Sequence, residues 1–264
     1  MKVLNSRLDL AAFLKRIPMA RERVLMLDYD GTLAPFKVRP EKATPYPGVA
    51  KLLNELMRDN DTRVIIVSGR RAADVIPLLP LSKPPEIWGS HGWERLLSSG
   101  ELILMAPEKD VNRDLQKASD LADEFIRNGG RIERKPASIA LHWRGLPALT
   151  AAQIRRRAHV VWSPFIRNGS LELLSFDGGI ELRAQGCNKR HAVNVVLSET
   201  PDNSVAAYLG DDMTDEDAFQ AVKTRGIAVL VRPNYRDTQA DIWIKPPREL
   251  LAFIKFWRVK EKPR

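Results

Sequence analysis

The chain has 264 residues, of which 44% are hydrophobic and 28% are charged, so its composition is that of an ordinary folded protein. This composition excludes a mainly disordered or collagen-like chain, and every apolar stretch is shorter than the roughly 20 residues that a membrane-spanning helix needs. The 42 Lys and Arg residues exceed the 33 Asp and Glu residues, and the net charge of +9 favours anionic partners such as phosphorylated metabolites or nucleic acid.

The cysteine count and the N-terminal residues bear on the cellular setting. The single cysteine, Cys187, excludes an internal disulfide framework and a cysteine-built zinc site, and we assign it no role. The first residues carry Asp9 inside their only apolar patch and lack a small-residue cleavage site, so no export signal is expected. We therefore expect a cytoplasmic protein with no membrane contact. We also expect a monomer, although no motif in the sequence bears on this.

Short apolar runs and amphipathic segments alternate in the first part of the chain. A run over 23–27 stops at Asp28, and a pattern with leucines at helical spacing follows over 47–58. A second run over 64–67 stops at Ser68. Short runs that are apolar on both faces are typical of strands in a buried parallel sheet.

The middle of the chain has a different pattern, which predicts a helix, two strands, a second helix and two more strands. The first helix should end at Gly129-Gly130, and the last two strands should form a hairpin about Asp177-Gly178-Gly179. The predicted elements of this αββαββ block are 111–128, 131–135, 138–143, 150–160, 171–176 and 180–183.

The last part returns to the alternating pattern, with runs over 205–209 and 227–231 and helices over 214–223 and 246–257. Alternating strands and helices predict an α/β protein with a doubly wound, Rossmann-like and mostly parallel sheet. The block in the middle is then an inserted, smaller α+β cap domain. We expect core residues 1–106 and 185–264 and cap residues 107–184.

Three predicted strands end in polar residues. In doubly wound sheets ligands bind beyond the carboxyl ends of the strands, where Asp28, Ser68 and Asp211 should meet. Asp28 and Asp30 are two positions apart in extended chain and can face one site. Adjacent carboxylates repel unless a proton or cation separates them, and hard oxygen ligands suit Mg²⁺. The alternative is an acidic turn after a strand.

A second acidic cluster follows the run over 205–209. Its last members, Glu216 and Asp217, are explained by capping of a helix N-terminus. Asp211 and Asp212 precede that helix, and capping does not explain them. We expect them to complete a metal site.

These segments resemble the four ordered motifs of the haloacid dehalogenase superfamily, which are carried here by Asp28–Leu33, Ser68–Arg70, Lys189 and Gly210–Asp215. More narrowly, the chain is similar to the trehalose-6-phosphate phosphatase family over about residues 24–231. The supporting segments are 89–94, 133–138, 141–144 and 210–219.

The resemblance implies a hydrolase that releases phosphate from trehalose 6-phosphate through an aspartyl-phosphate. Asp28 would be the nucleophile and Asp30 the general acid and base. Ser68 and Lys189 would bind the phosphoryl oxygens.

The resemblance also implies one cofactor, Mg²⁺. Its ligands would be Asp28, the backbone carbonyl of Asp30, and Asp211. Either Asp212 or Asp215 would bind the water molecules around the ion.

Substrate contacts implied by the resemblance fall into two groups. On the cap, Glu133, Lys135 and Glu181 would bind glucose hydroxyls, whereas the alternative for them is charge pairing on a solvated hairpin. We expect His142 to lie in the core or behind the site. Around the phosphate, the substrate-binding residues would be Asp28, Tyr29, Asp30, Gly69, Arg70 and His91.

Two positions differ from the pattern that the family commonly shows, with Ala184 in place of proline and Arg190 in place of glycine. They predict an altered loop beside Lys189.

An alternative function keeps the chemistry on another sugar phosphate, such as sucrose phosphate or a glycosyl-phosphoglycerate. A non-enzymatic alternative is a basic module that binds nucleic acid or another anion, suggested by Arg155-Arg156-Arg157. We expect a small sugar phosphate as the partner, and no nucleic acid.

Overall fold

The structure is a computed structural model that describes residues 1–58, 62–167, 169, 171–176, 178–186 and 188–258. Asp177 of the predicted hairpin turn and Cys187 lie outside the described residues. The chain divides into two compact units. The large unit comprises Met1–Ile103 and Asn188–Arg264, and the small unit comprises Leu104–Cys187.

The described strands fall into two sheets, one in each unit. They are β1 Lys2–Val3, β2 Arg23–Leu27, β3 Thr62–Val67, β4 Glu86–Gly89, β5 Glu94–Leu96, β6 Leu102–Leu104, β7 Arg131–Lys135, β8 Ser138–His142, β9 Leu171–Phe176, β10 Gly179–Ala184, β11 Val205–Gly210, β12 Gly226–Val231 and β13 Ile242–Ile244.

The α-helices of the described residues are α1 Leu10–Arg16, α2 Val49–Arg58, α3 Ala72–Val75, α4 Lys109–Arg127, α5 Ala148–Arg167, α6 Lys189–Ser198, α7 Glu216–Val222 and α8 Arg248–Phe256. Short 3₁₀ turns include Ser90–Gly92 and Met213–Asp215. The predicted helix over 214–223 is therefore a 3₁₀ turn followed by α7.

The sheet of the large unit has the strand order β1-β13-β12-β11-β2-β3-β4-β5-β6. The central strands from β13 to β4 pair in parallel, whereas β1 and β5 pair antiparallel with their neighbours. Strands β2 and β11 are buried along their whole length, as expected for strands that are apolar on both faces. The predicted α/β fold with a mostly parallel sheet is confirmed.

Strand β4 was not predicted, because its sequence contains a glutamate that pattern rules assign to solvent. Glu86 is buried, and its carboxylate accepts hydrogen bonds from Arg63 at 2.7 Å, from Arg95 at 2.9 Å and from the indole of Trp88 at 2.9 Å. Two guanidinium groups compensate the buried charge. This arrangement joins residues that are distant in sequence, so periodicity gives no sign of it.

The small unit is an antiparallel sheet, ordered β7-β8-β10-β9, that contacts helices α4 and α5. Phe125 of α4 and Trp162 of α5 pack edge to face with 5.8 Å between ring centroids. The predicted αββαββ order is confirmed.

Helix α5 extends beyond its predicted end at Val160 and passes through Pro164. Proline has no N–H, so the carbonyl of Val160 loses its helical donor. The hydroxyl of Ser163 donates to that carbonyl at 3.0 Å and satisfies it. Among the described residues, we find no helix long and apolar enough to cross a bilayer.

Candidate active site

Strand pairing places the predicted site residues at one edge of the large unit's sheet. Strands β11, β2 and β3 are neighbours, and they are followed by Asp211, Asp28 and Ser68. The ladder continues past the end of β2, where the amide of Asp28 donates to the carbonyl of Leu209 at 2.9 Å. Residues almost two hundred positions apart therefore become neighbours, as expected for the carboxyl ends of parallel strands.

Lys189 joins two of the buried carboxylates. It is the first residue of α6, whose N-cap residue Asn188 accepts a hydrogen bond from the amide of His191. The Lys189 ammonium lies 2.7 Å from Asp28 Oδ1 and 2.6 Å from Asp215 Oδ1. Asp28, Asp215 and Lys189 are all at least 96% buried, so solvent screens these ion pairs little.

Asp211 completes a cluster of three carboxylates. One carboxylate oxygen from each of Asp28, Asp211 and Asp215 lies within 4.8 Å of the others. Gly31 leaves room for this arrangement, because its φ is +85° and a Cβ there would lie 2.1 Å from Asp211 Oδ2. The glycine is therefore required both by the backbone conformation and by the close approach of Asp211.

The protein groups alone do not balance the charge of this cluster. Burial raises the pKa of Asp28 to about 7, although Lys189 opposes the rise. Burial and then the Asp28 carboxylate raise the pKa of Asp211 to about 9. The pKa of Asp215 is lowered in spite of burial, because Lys189 and Tyr208 stabilise its charge.

These residues fit a divalent cation. The donor set consists of carboxylate oxygens, which are the ligands that Mg²⁺ prefers. Asp28 Oδ2 is buried and has no hydrogen-bond partner among the described residues, so a ligand oxygen is available. A cation would also remove the repulsion between the Asp28 and Asp211 carboxylates. We infer that Asp28 and Asp211 could hold the ion.

Asp30 is paired with Arg70. Arg70 Nε lies 2.6 Å from Asp30 Oδ2, and Nη2 lies 2.6 Å from Oδ1. The third nitrogen, Nη1, donates to the carbonyl of Pro40 at 2.9 Å. In the structure the Arg70 guanidinium thus holds a carboxylate and a loop, and its role in substrate binding stays a prediction.

A compact group of residues lies next to Arg70 and consists of Ser68, Gly69 and His91. The Ser68 hydroxyl accepts from the amide of Arg70 at 3.1 Å, and the Ser68 carbonyl accepts from the amide of His91 at 3.0 Å. A Cβ on Gly69 would lie 2.6 Å from the His91 ring. His91 has a φ of 58°, which is rare outside glycine.

Two predicted residues are separate from the carboxylate cluster. The Tyr29 side chain is fully buried and its hydroxyl donates to the carbonyl of Ala43 at 2.6 Å, so only its backbone remains for a substrate. Asp212 is exposed and caps the Met213–Asp215 turn by accepting from the amide of Met213 at 2.8 Å. Asp215, not Asp212, contacts Lys189.

Sequence analysis missed the residues that hold Asp215. The hydroxyl of buried Tyr208 donates to Asp215 Oδ1 at 2.7 Å, and the amides of Asp211 and Asp212 donate to Oδ2, each at 3.0 Å. Both oxygens of Asp215 are therefore engaged by protein donors. Tyr208 lies in an apolar run, and only its polar hydroxyl could have suggested this role.

The small unit brings its three predicted sugar-binding residues together. Glu133 and Glu181 are both paired in register with Ala140 of β8, so they share one face of the sheet. Lys135 Nζ lies 3.1 Å from Glu181 Oε1 and 4.0 Å from Glu133 Oε1. The side chains of Lys135 and Glu181 are only 9% and 7% exposed, unlike an ion pair on a solvated hairpin.

His142 and Ser138 extend this group. His142 Nε2 lies 3.0 Å from Glu133 Oε2, and the Ser138 hydroxyl donates to Glu181 Oε1 at 2.6 Å. The hydrogen bond to His142 lowers the pKa of Glu133, with burial opposing and Lys135 assisting. His142 was expected to lie either in the core or behind the site. Its contact with Glu133 fits the second of these positions.

The two positions that depart from the family pattern are accommodated. Arg190 Nη2 lies 3.1 Å from Asp217 Oδ1 and also donates to Gln220, so its charge is directed to helix α7. Ala184 is buried at the end of β10, and its amide donates to the carbonyl of Ala137 at 2.9 Å. Proline could not make that hydrogen bond.

The fold is that of a phosphatase of the haloacid dehalogenase superfamily from Bacteroides thetaiotaomicron, with a TM-score of 0.60 and 17% identity over 89% of this chain and 95% of that one. The C-terminal domain of a trehalose-6-phosphate phosphatase from C. albicans is similar in structure, with a TM-score of 0.77 and 23% identity over 97% of this chain and 99% of that one. At this identity the similarity shows the fold alone.

The family follows from the sequence. The model of the family described as trehalose-phosphatase matches residues 26–242. The chain belongs to the trehalose-phosphatase family. A trehalose-phosphate phosphatase of Mycobacterium marinum is 32% identical over 241 residues, which are 87% of this chain and 60% of the relative.

The relatives are longer than this chain. A protein of Mycobacterium tuberculosis that is named an uncharacterized glycosyl hydrolase is 30% identical over 236 residues, or 84% of this chain, and these are 17% of its own length. The chain thus corresponds to one part of such relatives.

Proposed function

We propose that this protein is a magnesium-dependent phosphatase that hydrolyses trehalose 6-phosphate to trehalose and phosphate. The observation that carries the proposal is the buried cluster of Asp28, Asp211 and Asp215 carboxylates within 4.8 Å of one another, with Lys189 bound to two of them. Relatives from Mycobacterium marinum, Arabidopsis thaliana and Schizosaccharomyces pombe are all named as phosphatases of trehalose phosphate, which supports this substrate.

The first step is nucleophilic attack by Asp28 on phosphorus. Lys189 is bound to Asp28 Oδ1, and Oδ2 has no hydrogen-bond partner among the described residues. One of these two oxygens would attack phosphorus while the other binds the cation. An Asp28–phosphorus bond forms as the bond from phosphorus to the sugar oxygen breaks. Asp30 gives its proton to the leaving sugar oxygen, because an alkoxide is a poor leaving group.

The second step regenerates the enzyme. The Asp30 carboxylate takes a proton from water, whose oxygen attacks phosphorus while the Asp28–phosphorus bond breaks and phosphate leaves. One group thus serves as acid and then as base. Because both Asp30 oxygens are bound to Arg70, at least one of these contacts opens when Asp30 carries the proton.

Charge on the phosphoryl group needs positive partners. Lys189 and the hydroxyl of Ser68 would bind the phosphoryl oxygens. Asp28, the backbone carbonyl of Asp30, and Asp211 would hold Mg²⁺, with Asp215 behind them. When bound, Mg²⁺ offsets the negative charge of the transferring phosphoryl group.

Sugar selection belongs to the small unit in this proposal, with residues 107–184 as the cap domain and 1–106 and 185–264 as the core. Glu133, Lys135 and Glu181 supply acceptors and donors on one sheet face. A site built to hydrogen-bond hydroxyls discriminates against analogues that lack them. The pairing of Lys135 with Glu181 keeps these side chains ordered before a sugar binds.

The test is phosphate release from a panel of trehalose 6-phosphate, sucrose 6-phosphate, glucose 6-phosphate and a glycosyl-phosphoglycerate, each with Mg²⁺ and with EDTA. We expect the highest kcat/KM for trehalose 6-phosphate, abolished by EDTA. Higher kcat/KM for another member would reject the substrate and keep the chemistry. Inactivity on every member, with salt-dependent binding of a DNA duplex, would favour the binding module.

A further inference from the structure

A loop that follows β12 binds the backbone of the proposed metal site. Arg236 Nε donates to the carbonyl of Asp211 at 3.2 Å, and its Nη2 donates to the carbonyl of Asp212 at 2.7 Å. Arg232 Nη1 donates to the same Asp211 carbonyl at 3.1 Å. The guanidinium groups of Arg232 and Arg236 thus bind the segment between β11 and α7. Neither arginine belongs to a motif that was recognised in the sequence.

The remaining nitrogen of Arg236 joins the loop to helix α7. Arg236 Nη1 contacts the carboxylate of Glu216, the first residue of α7, and donates to the carbonyl of Asp237 at 2.8 Å. Glu216 also accepts from the Thr238 hydroxyl and from the amide of Gln239, each at 2.8 Å. Glu216 therefore has a tertiary role in addition to the capping role expected from sequence.

This clamp opposes the repulsion inside the carboxylate cluster. Asp211 is 4% exposed and lies beside Asp28 and Asp215, so its carboxylate is repelled by theirs whenever it is ionised. Its side chain has no hydrogen-bond donor among the contacts that the structure describes. Its position is therefore determined by its backbone, where the amide is bound to Asp215 and the carbonyl to the two arginines.

We propose that Arg236 is a positioning residue of the metal site, which fixes the Asp211 and Asp212 carbonyls and thereby keeps the Asp211 carboxylate beside Asp28. The inference rests on the proposed function, because it assumes that Asp211 binds the cation. The planar guanidinium fork uses all three nitrogens here, so lysine cannot replace it.

Removal of Arg236 can change the Mg²⁺ affinity in either direction, and the sign of the change separates an effect of charge from an effect of position. A positive charge near a cation site repels the cation, so removal of the Arg236 charge should tighten Mg²⁺ binding if only charge matters. Loss of positioning should weaken Mg²⁺ binding instead. Residues that orient metal ligands typically change metal affinity about 10- to 100-fold when they are removed.

The experiment is calorimetric titration of Mg²⁺ into the EDTA-treated and dialysed protein, for the wild type, Arg236→Gln and Arg236→Lys. Arg225→Gln is the matched control. Arg225 is also a partly buried arginine that donates to backbone carbonyls, those of Leu197 at 2.6 Å and Thr200 at 2.8 Å. It precedes β12, and none of its described contacts is with the segment between β11 and α7.

We expect both Arg236 variants to bind Mg²⁺ at least about tenfold more weakly than the wild type. Arg225→Gln should bind within twofold of it, and circular dichroism should show all the variants folded. If Arg236→Gln does not fold, Glu216→Gln removes a partner of the same guanidinium and should weaken Mg²⁺ binding severalfold.

Equal or tighter Mg²⁺ binding by Arg236→Gln would overturn the inference, as would equal weakening by Arg225→Gln. If Glu216→Gln is needed, unchanged Mg²⁺ binding by that variant would overturn it too. A wild-type protein that binds no Mg²⁺ would overturn both the inference and the metal dependence of the proposed function. A wild type that binds Mg²⁺ but does not hydrolyse trehalose 6-phosphate would overturn the proposed substrate alone.

Discussion

Arg70 holds both oxygens of Asp30, with each nitrogen–oxygen distance at 2.6 Å. A guanidinium fork and a carboxylate match in this bidentate geometry, so the pair fixes the direction in which the Asp30 oxygens point. Arg70 also donates to the carbonyl of Pro40, which ties the pair to a neighbouring loop. The carboxylate of Asp30, the proposed general acid and base, is thus held in place by Arg70.

We predict that Arg70→Gln lowers kcat on trehalose 6-phosphate by about 10- to 100-fold, because a misdirected acid protonates the leaving oxygen poorly. Asp30→Asn should lower kcat more, by about 10²- to 10⁴-fold. Arg70→Lys should restore little, since lysine lacks the fork. Steady-state kinetics test this ordering, and a variant in which only KM rises would instead assign Arg70 to direct substrate binding.

Gly31 offers a prediction about the metal site with a matched control. Gly31→Ala places a Cβ 2.1 Å from Asp211 Oδ2 at a φ of +85°, whereas Gly100 has a φ of +91° and open space around it. Both alanine variants should lose about 1 kcal/mol of stability from backbone strain. Only Gly31→Ala should displace Asp211.

Calorimetry with Mg²⁺ separates the two effects. We expect Gly31→Ala to bind Mg²⁺ at least about tenfold more weakly and Gly100→Ala to bind as the wild type does. Equal Mg²⁺ affinities for both variants would show that the position of Asp211 does not determine metal binding.

Asp211 should destabilise the fold when EDTA removes metal. Burial raises its pKa to about 9, above the ordinary value of 3.8, so the folded state retains a proton that the unfolded state releases. Stability contributed by this group is therefore full below about pH 4 and is lost as pH rises toward 9. Asp211→Asn should raise the unfolding temperature at pH 8 in EDTA and change it little at pH 4.

In the presence of Mg²⁺ at pH 8, the wild type should have a higher unfolding temperature than Asp211→Asn. A ligand present at 100 times its Kd stabilises the folded state by about 2.7 kcal/mol, so Mg²⁺ should raise the unfolding temperature of the wild type. Asp211→Asn should lose this response. Thermal unfolding at the two pH values tests both points, and an Asp211→Asn protein that is less stable in EDTA at pH 8 would contradict the charge account.

Glu199 should make the stability of the fold decrease in acid, which is opposite to the pH dependence expected from Asp211. Arg95 and then Arg63 bind its carboxylate, in spite of burial, and lower its pKa to about 2 from 4.5. The stability that it contributes is present above about pH 4.5 and is lost as pH falls toward 2. Because the side chain is 37% exposed, solvent screening limits the contribution to about 1 kcal/mol.

The comparison of wild type with Glu199→Gln checks this. We expect the difference in unfolding free energy to be constant between pH 5 and pH 7, in the wild type's favour, and to shrink below pH 4.5. A difference that grows on acidification would mean that Glu199 carries a proton in the folded protein.

The parts of this protein that were predictable depend on local signals. The strand that ends at Asp28 is an uninterrupted apolar run, and the acidic groups that follow it stand out against it. Lys189 was found through its motif. Tyr208, Arg236 and the Arg70–Asp30 pair were not found, because each depends on contacts between segments far apart in sequence.

Charged residues inside the sheet set a second limit. Glu86 is buried by pairing with Arg63 and Arg95, and this concealed strand β4 from a reading based on apolar runs. Helix α5 was predicted too short, because it continues past Val160 and through Pro164, where the Ser163 hydroxyl satisfies the Val160 carbonyl. In both cases a side-chain hydrogen bond overrides the local preference.

The most direct test of the central claim compares Asp28→Asn with the wild type in Mg²⁺-dependent release of phosphate from trehalose 6-phosphate. Asparagine preserves shape but supplies no carboxylate nucleophile, so we predict a loss of at least about 10⁴-fold in kcat with a folded protein. Turnover by Asp28→Asn within tenfold of the wild type would contradict an aspartyl-phosphate at this residue.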